Sequence, residues 1–231
     1  MNMHGNYTFV LASGEKCRQP YKEAFGYDDD HIVIGSLPRV DALKSEEFKR
    51  KTLEKINRVY PQLVSKKDGK KIVVYAPTFR TGRNITREIM EMAKAFDRDE
   101  YTLVIKKHPL METPDLDWCI VDEEFSTMEM LVAADYVVCD YSAIVYEAAL
   151  LAKPLFFYGF DLADYTGARD FYLDYEAEMP GPVAMTGEAL AAFVEADYYE
   201  MDKVEAFARE YVNVQEDCTA KLAQLVLTGT M

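Results

Sequence analysis

The stretch YVVCDYSAIVYEAALLAKPLFFY, residues 136–158, decides the fold. It opens on an apolar run without alternation, Tyr136 to Cys139, and closes on a second, Leu155 to Tyr158. Between them, from Ser142 to Ala152, apolar residues recur at three- and four-residue spacing, as on one face of a helix. Strands buried on both faces lose the in–out alternation of a half-exposed sheet, so this pattern predicts parallel strands joined by a covering helix. The same alternation continues upstream. Ile72 to Ala76 and Thr102 to Ile105 read as further buried strands, and Glu46 to Tyr60, Thr86 to Phe96 and Thr127 to Ala134 as amphipathic helices. A doubly wound α/β fold is expected.

The two ends of the chain differ from this middle. After Pro180-Gly181-Pro182 a short extended Val183 to Met185 is followed by helical patterns at Gly187 to Ala196, Val204 to Tyr211 and Asp217 to Leu227. The first forty residues hold a strand-like Tyr7 to Ala12, a loop, Ile32 to Gly35 and the sharp Ser36-Leu37-Pro38-Arg39. They look unlike a complete βαβ start. Residues 1–40 are therefore expected to be a remnant or junction segment, and residues 41–231 the main domain.

With 231 residues, 49% hydrophobic and 29% charged, the chain can bury a full core, which excludes disorder, collagen and small disulfide scaffolds. No apolar run reaches the roughly 18 residues of a bilayer span, since Glu147 interrupts Ala143 to Ala152. The N-terminal Met-Asn-Met-His-Gly-Asn-Tyr lacks the features of a secretory signal, and the expected location is cytoplasmic. Cys17, Cys119, Cys139 and Cys218 form no Cys-x-x-Cys pair and read as buried free thiols. A net charge of -14 argues against binding nucleic acid. That charge is uneven: residues 1–108 hold 21 Lys and Arg against 15 Asp and Glu, residues 109–231 hold 5 against 25. An anionic ligand would be drawn to the first half.

Ligands of parallel sheets bind beyond the carboxyl ends of the strands. Four such ends carry polar or basic groups: Pro77-Thr78-Phe79-Arg80-Thr81-Gly82-Arg83, Lys106-Lys107-His108-Pro109, Asp140-Tyr141-Ser142 and Gly35-Ser36-Leu37-Pro38-Arg39. Taken singly, Arg80 or Arg39 fits a surface ion pair and Ser142 an N-cap. Converging on one crevice, they suit a phosphorylated ligand, because arginine forks match phosphate oxygens and helix-start amides add donors. Lys107 is expected to point away, since adjacent strand residues alternate faces. His4 and His31 read as terminal and loop residues. His108, at a strand end before a proline, is the candidate catalytic group, able to act as base when neutral or to stabilise phosphate charge when protonated.

Asp174, Glu176 and Glu178 match no calcium loop and read as a solvated acidic surface, so no metal site is assigned. The aromatic stretch Phe156, Phe157, Tyr158, Phe160, Tyr165, Phe171, Tyr172 and Tyr175 is expected to be core, with one or two rings lining a nucleotide pocket. No Gly-x-Gly-x-x-Gly, Gly-x-x-x-x-Gly-Lys-Ser/Thr or Gly-x-Ser-x-Gly motif occurs. No cofactor is expected.

Five ordered blocks resemble the CDP-glycerol glycerophosphotransferases of teichoic acid synthesis. They are Gly35 to Asp41, Tyr75-Ala76-Pro77-Thr78-Phe79-Arg80, Lys106-Lys107-His108-Pro109, Cys139-Asp140-Tyr141-Ser142-Ala143, and Lys153 to Tyr158 continuing through Arg169 to Tyr175 and Met179 to Pro182. The resemblance implies a Rossmann-like, GT-B-type C-terminal domain, the half that binds the nucleotide donor, with residues 41–231 as that domain. It implies transfer of glycerol phosphate from CDP-glycerol, or a related CDP-alditol, to a polymer or lipid-linked glycerol-phosphate acceptor, with release of CMP. It places His108 and Ser142 at the donor phosphates, with Thr78, Arg80 and Ala143 nearby and Arg39 at the domain junction. Asp140 fits a structural role. Ser142-Ala143 departs from the Ser-Ser pair commonly seen there. The family's Trp-His-Gly-type motif belongs to its other half, so that role is not carried onto His4, and a separate acceptor-binding domain is implied. The implied location is cytoplasmic, peripheral at the inner face of the membrane. Three readings stay open: this transferase, a nucleotide-binding module without turnover, and a glycosyltransferase-like domain using a nucleotide sugar.

Overall fold

A computed structural model describes residues 5–35, 37–65, 69–112, 116–168 and 174–229. The sequence readings at His4, at Ser36 and at residues 169–173 lie outside the described residues. Among the described residues there are eight strands: β1 Val10–Ala12, β2 Ile32–Ile34, β3 Lys71–Ala76, β4 Tyr101–Lys106, β5 Ile120–Asp122, β6 Tyr136–Cys139, β7 Leu155–Tyr158 and β8 Val183–Ala184. The α-helices are α1 Arg18–Phe25, α2 Pro38–Lys44, α3 Glu46–Val59, α4 Pro61–Ser65, α5 Thr86–Ala95, α6 Thr127–Ala133, α7 Ile144–Leu150, α8 Leu162–Ala168, α9 Tyr175–Glu178, α10 Gly187–Glu195, α11 Met201–Tyr211 and α12 Cys218–Thr228. No helix among the described residues is long and apolar enough to cross a membrane.

Six strands form one all-parallel sheet in the order β5-β4-β3-β6-β7-β8. Its residues alternate between two cores. Ile72, Val74, Val137, Cys139, Leu155 and Phe157 pack on one face with Ile56 of α3, Met130 and Leu131 of α6 and Ala148 of α7. Val73, Tyr75, Tyr136, Val138, Phe156 and Tyr158 pack on the other with Ile89 and Met92 of α5 and Leu190 and Val194 of α10. Burial on both faces is why these strands read as unbroken apolar runs. Chain direction across the sheet reverses between β3 and β6, whose register pairs Ala76 with Cys139. Doubly wound sheets bind ligands at such a switch point.

The reading that the start of the chain is unlike a βαβ unit is corrected, because residues 10–34 form one. β1 pairs with β2 in parallel through α1, as a two-stranded sheet separate from the six-stranded one. The strands are only three residues long, too short to signal clearly, and tertiary bonds support them: Arg18 donates to the Ile32 carbonyl (3.2 Å) and the Gly35 amide to the Ala12 carbonyl (2.8 Å). Gly35 has φ +98°, a conformation that side chains resist, and it turns the chain from β2 toward Pro38 at the start of α2. β5 escaped the sequence reading because an edge strand of three residues leaves little apolar pattern.

Candidate functional site

The carboxyl ends of β3, β4 and β6 and the start of α2 enclose a crevice of about 590 Å³. Its lining includes Arg39, Thr78, Phe79, Lys106, Lys107, His108, Tyr141, Ser142, Ala143, Glu147 and Tyr165. Five of the six expected site residues, Arg39, Thr78, His108, Ser142 and Ala143, thus meet in one place.

Arg80, the sixth, lies behind the wall. It is 6% exposed, and its guanidinium is held by Asp161 (2.9 and 3.1 Å), Asp140 (3.0 Å) and the Thr78 carbonyl (2.6 Å). These bonds occupy four of its five N–H groups. Its cation also sits over the Tyr141 and Tyr165 rings, at 4.7 and 5.0 Å. The assignment of Arg80 as a direct phosphate ligand is therefore corrected. A buried cation that meets carboxylates from two other strand ends becomes a fastener, because a buried charge must be paired.

Asp140 and Asp161 share this arginine but sit in different environments. Complete burial holds Asp140 above the usual carboxylate range, outweighing Arg80 and the Thr78 amide and hydroxyl that donate to it. Burial also opposes ionisation of Asp161, yet Arg80, the Tyr141 hydroxyl (3.0 Å) and Arg83 hold it below that range. Arg80 remains charged: burial works against its cation and the two carboxylates overcome it. The Tyr141 phenol is pushed well above its ordinary value, first by burial and then by Asp161. The Tyr175 hydroxyl completes the cluster by donating to the Asp140 carbonyl (2.7 Å). Thr78 and Tyr141 are thereby fixed as walls of the crevice.

His108 leaves the end of β4 with its ring stacked on Phe79, centroids 5.0 Å apart. The Leu110 amide donates to its Nδ1 (3.2 Å). An Nδ1 that accepts a hydrogen bond carries no proton, so the neutral ring holds its proton on Nε2 and presents a donor there. Ser142 accepts from the Ile144 amide (3.3 Å), and α7 begins two residues later than the sequence pattern suggested. Glu147, 7% exposed on α7, pairs with Arg39 across the crevice mouth.

Lys106, the last residue of β4, and Lys107, just past it, both line the crevice, which corrects the outward orientation expected for Lys107. The strand ends at Lys106, so face alternation no longer governs the next residue. Lys106 is buried and bonded to Asp122, itself an acceptor from the Tyr60 hydroxyl (3.0 Å). Lys107 reaches Glu123 at 2.8 Å.

Asp161 and Glu147 were not singled out as ligand-contacting or supporting residues from sequence, whereas Tyr141 stood in a strand-end group and Tyr165 in the aromatic stretch. Asp161 follows the end of β7, where the strand-end rule would have found it. Tyr165 belongs to the aromatic stretch and stacks on Tyr141 at 3.9 Å. Of the acidic cluster, Asp174 caps α9 through the Ala177 amide (3.2 Å) and Glu178 accepts from the Tyr211 hydroxyl. Among the described residues no group of three or more His, Cys, Asp or Glu side chains is placed to hold a metal ion.

A family model described as CDP-glycerol:poly(glycerophosphate) glycerophosphotransferase matches residues 1–227. Among curated proteins, the chain is 32% identical to a teichoic acid poly(ribitol-phosphate) polymerase of Bacillus spizizenii, over 97% of this chain and 37% of that protein. It is 29% identical to a teichoic acid glycerol-phosphate transferase of Staphylococcus aureus, over 84% of this chain and 51% of that protein. The chain thus spans about half or less of these relatives. In fold it is similar to the wall teichoic acid polymerase TagF, with a TM-score of 0.75 at 20% identity, over 96% of this chain and 57% of that structure.

Proposed function

Because this chain belongs to the CDP-glycerol:poly(glycerophosphate) glycerophosphotransferase family, we propose that its crevice binds the CDP end of an activated alditol phosphate. The domain would present that donor for transfer to a teichoic acid chain. The single observation that carries this reading is the convergence of Arg39, Thr78, His108 and Ser142 on one crevice at the switch point of the sheet.

In the reaction, a hydroxyl of the acceptor polymer attacks the phosphorus that bears the alditol. The bond from that phosphorus to the bridging oxygen breaks, and CMP leaves with the electron pair. Little covalent work falls to the protein, so positioning and charge stabilisation dominate. His108 suits the second task. Its Nε2 donor, fixed by the Leu110 amide on Nδ1, would bind a phosphate oxygen as charge develops. The same tautomer disfavours Nε2 as the general base, and on this reading proton removal would fall to a separate acceptor-binding domain. Residues 1–40 would form the junction to that domain, in a GT-B-type arrangement. Phe79 backs the His108 ring, and the Arg80 cluster holds Thr78 and Tyr141 in place.

Relatives acting on both ribitol phosphate and glycerol phosphate match the chain, so the alditol is the open variable, and the 32% relative favours ribitol over glycerol. Calorimetric titration with CDP-ribitol, CDP-glycerol, CMP and UDP-N-acetylglucosamine tests the reading. Cytidine nucleotides are expected to bind and the UDP-sugar not to. Preference for the UDP-sugar would overturn the donor assignment in favour of a sugar transferase.

A further inference from the structure

The cations of the crevice differ in how much hydrogen-bonding capacity they have left. Lys106 has three donors and uses all of them, on the Asp122 carboxylate, the Asp122 carbonyl (3.3 Å) and the Phe125 carbonyl. Arg80 uses four of five and is buried. Neither can turn to a ligand without leaving a buried carboxylate uncompensated, a loss that an incoming phosphate would have to exceed. Lys107 is different. Among the described residues its ammonium makes one bond, to Glu123, whose side chain is 56% exposed and can return to water. Lys107 itself is only 14% exposed, but its one carboxylate partner stands in water, so exchanging that partner leaves no buried charge uncompensated. Lys107 also adjoins His108, and both line the crevice.

We infer that Lys107 is a phosphate-binding residue of this site, exchanging Glu123 for a phosphate oxygen when the donor enters. This rests on the donor-site reading above. It gives Glu123 a definite part as well: a competing internal anion whose removal frees the lysine. Lys107 and Glu123 should therefore act with opposite sign on the same ligand, which a merely structural pair would not do.

The test is calorimetric titration of the full chain with CDP, CMP and cytidine, for wild type, Lys107→Met, Lys107→Arg and Glu123→Gln, each checked for native circular dichroism. Lys107→Met is expected to weaken CDP about ten-fold, the scale of one charge-assisted hydrogen bond, and to leave cytidine unchanged. Lys107→Arg keeps the charge and should recover most of that loss. Glu123→Gln should tighten CDP a few-fold and flatten its salt dependence little. An unchanged ratio of CDP to cytidine affinity in Lys107→Met would overturn the assignment while leaving the donor site standing. So would weaker CDP binding by Glu123→Gln. A wild-type chain that binds none of the three ligands would overturn both readings together.

Discussion

The wall and the rim of the crevice use the same residue types for opposite ends. In the wall, Arg80 is 6% exposed and meets two carboxylates, Asp140 and Asp161, that come from two other strand ends. At the rim, Lys107 meets one carboxylate, Glu123, that stands largely in water. In a low-dielectric interior a cation and its partners hold one another against the cost of desolvation, and the cluster behaves as a fastener. Where only the carboxylate stands in water the pairing costs less to break, since no buried anion is left behind, and the cation stays available to a ligand at the crevice. Charge alone therefore does not mark a ligand-binding residue; spare hydrogen-bonding capacity does.

Removal of each cation is the strongest way to break this contrast. Arg80→Met leaves two buried carboxylates without their cation and is expected to cost about 3–5 kcal/mol of stability. Lys107→Met is expected to cost less than about 1 kcal/mol. Guanidinium melts of the two variants measure both, and equal losses would dissolve the distinction between wall and rim.

The next largest effect concerns catalysis. In a full-length enzyme carrying this domain, His108→Ala is expected to reduce turnover about 10²–10³-fold, the scale of one lost donor to a developing oxyanion, with an unchanged melting midpoint. His108→Gln, whose amide reaches to nearly the same place as Nε2, should recover part of the loss. Full activity in His108→Ala would remove the residue from the catalytic machinery. A general-base role would instead leave His108→Gln as inactive as His108→Ala.

How much of this was legible beforehand depended on whether a feature is local. The strands from Ile72 to Tyr158 declare themselves because burial on both faces requires consecutive apolar residues, and their ends pointed to Thr78, His108 and Ser142 without any structure. Features that depend on pairing across the sequence did not show. Asp161 stands 81 residues from Arg80 and Glu147 stands 108 from Arg39, so nothing near either arginine said that one would be consumed and the other held at the mouth. The three-residue strands β1, β2 and β5 are set by partners more than by their own composition. Lys107 was misread because alternation was carried one residue past the end of its strand.

Within the wall itself, the two carboxylates on Arg80 can be told apart by acid, and this is the smallest effect expected. An aspartate in the unfolded chain titrates near pH 4. The folded value of Asp161 lies lower, so its contribution to stability is complete above about pH 4 and is lost as the pH falls through that lowered value. The folded value of Asp140 lies higher, because burial outweighs its partners; its contribution is present below about pH 4 and is lost as the pH rises through the raised value. One proton can change the slope of stability by at most about 1.4 kcal/mol per pH unit. Denaturation midpoints between pH 2 and 6 should therefore show a flatter acid limb for Asp161→Asn and a steeper one for Asp140→Asn, whatever either substitution costs at neutral pH. Parallel limbs in the two variants would mean that Arg80 holds both carboxylates alike, and that the deeper burial of Asp140 has no consequence for its charge.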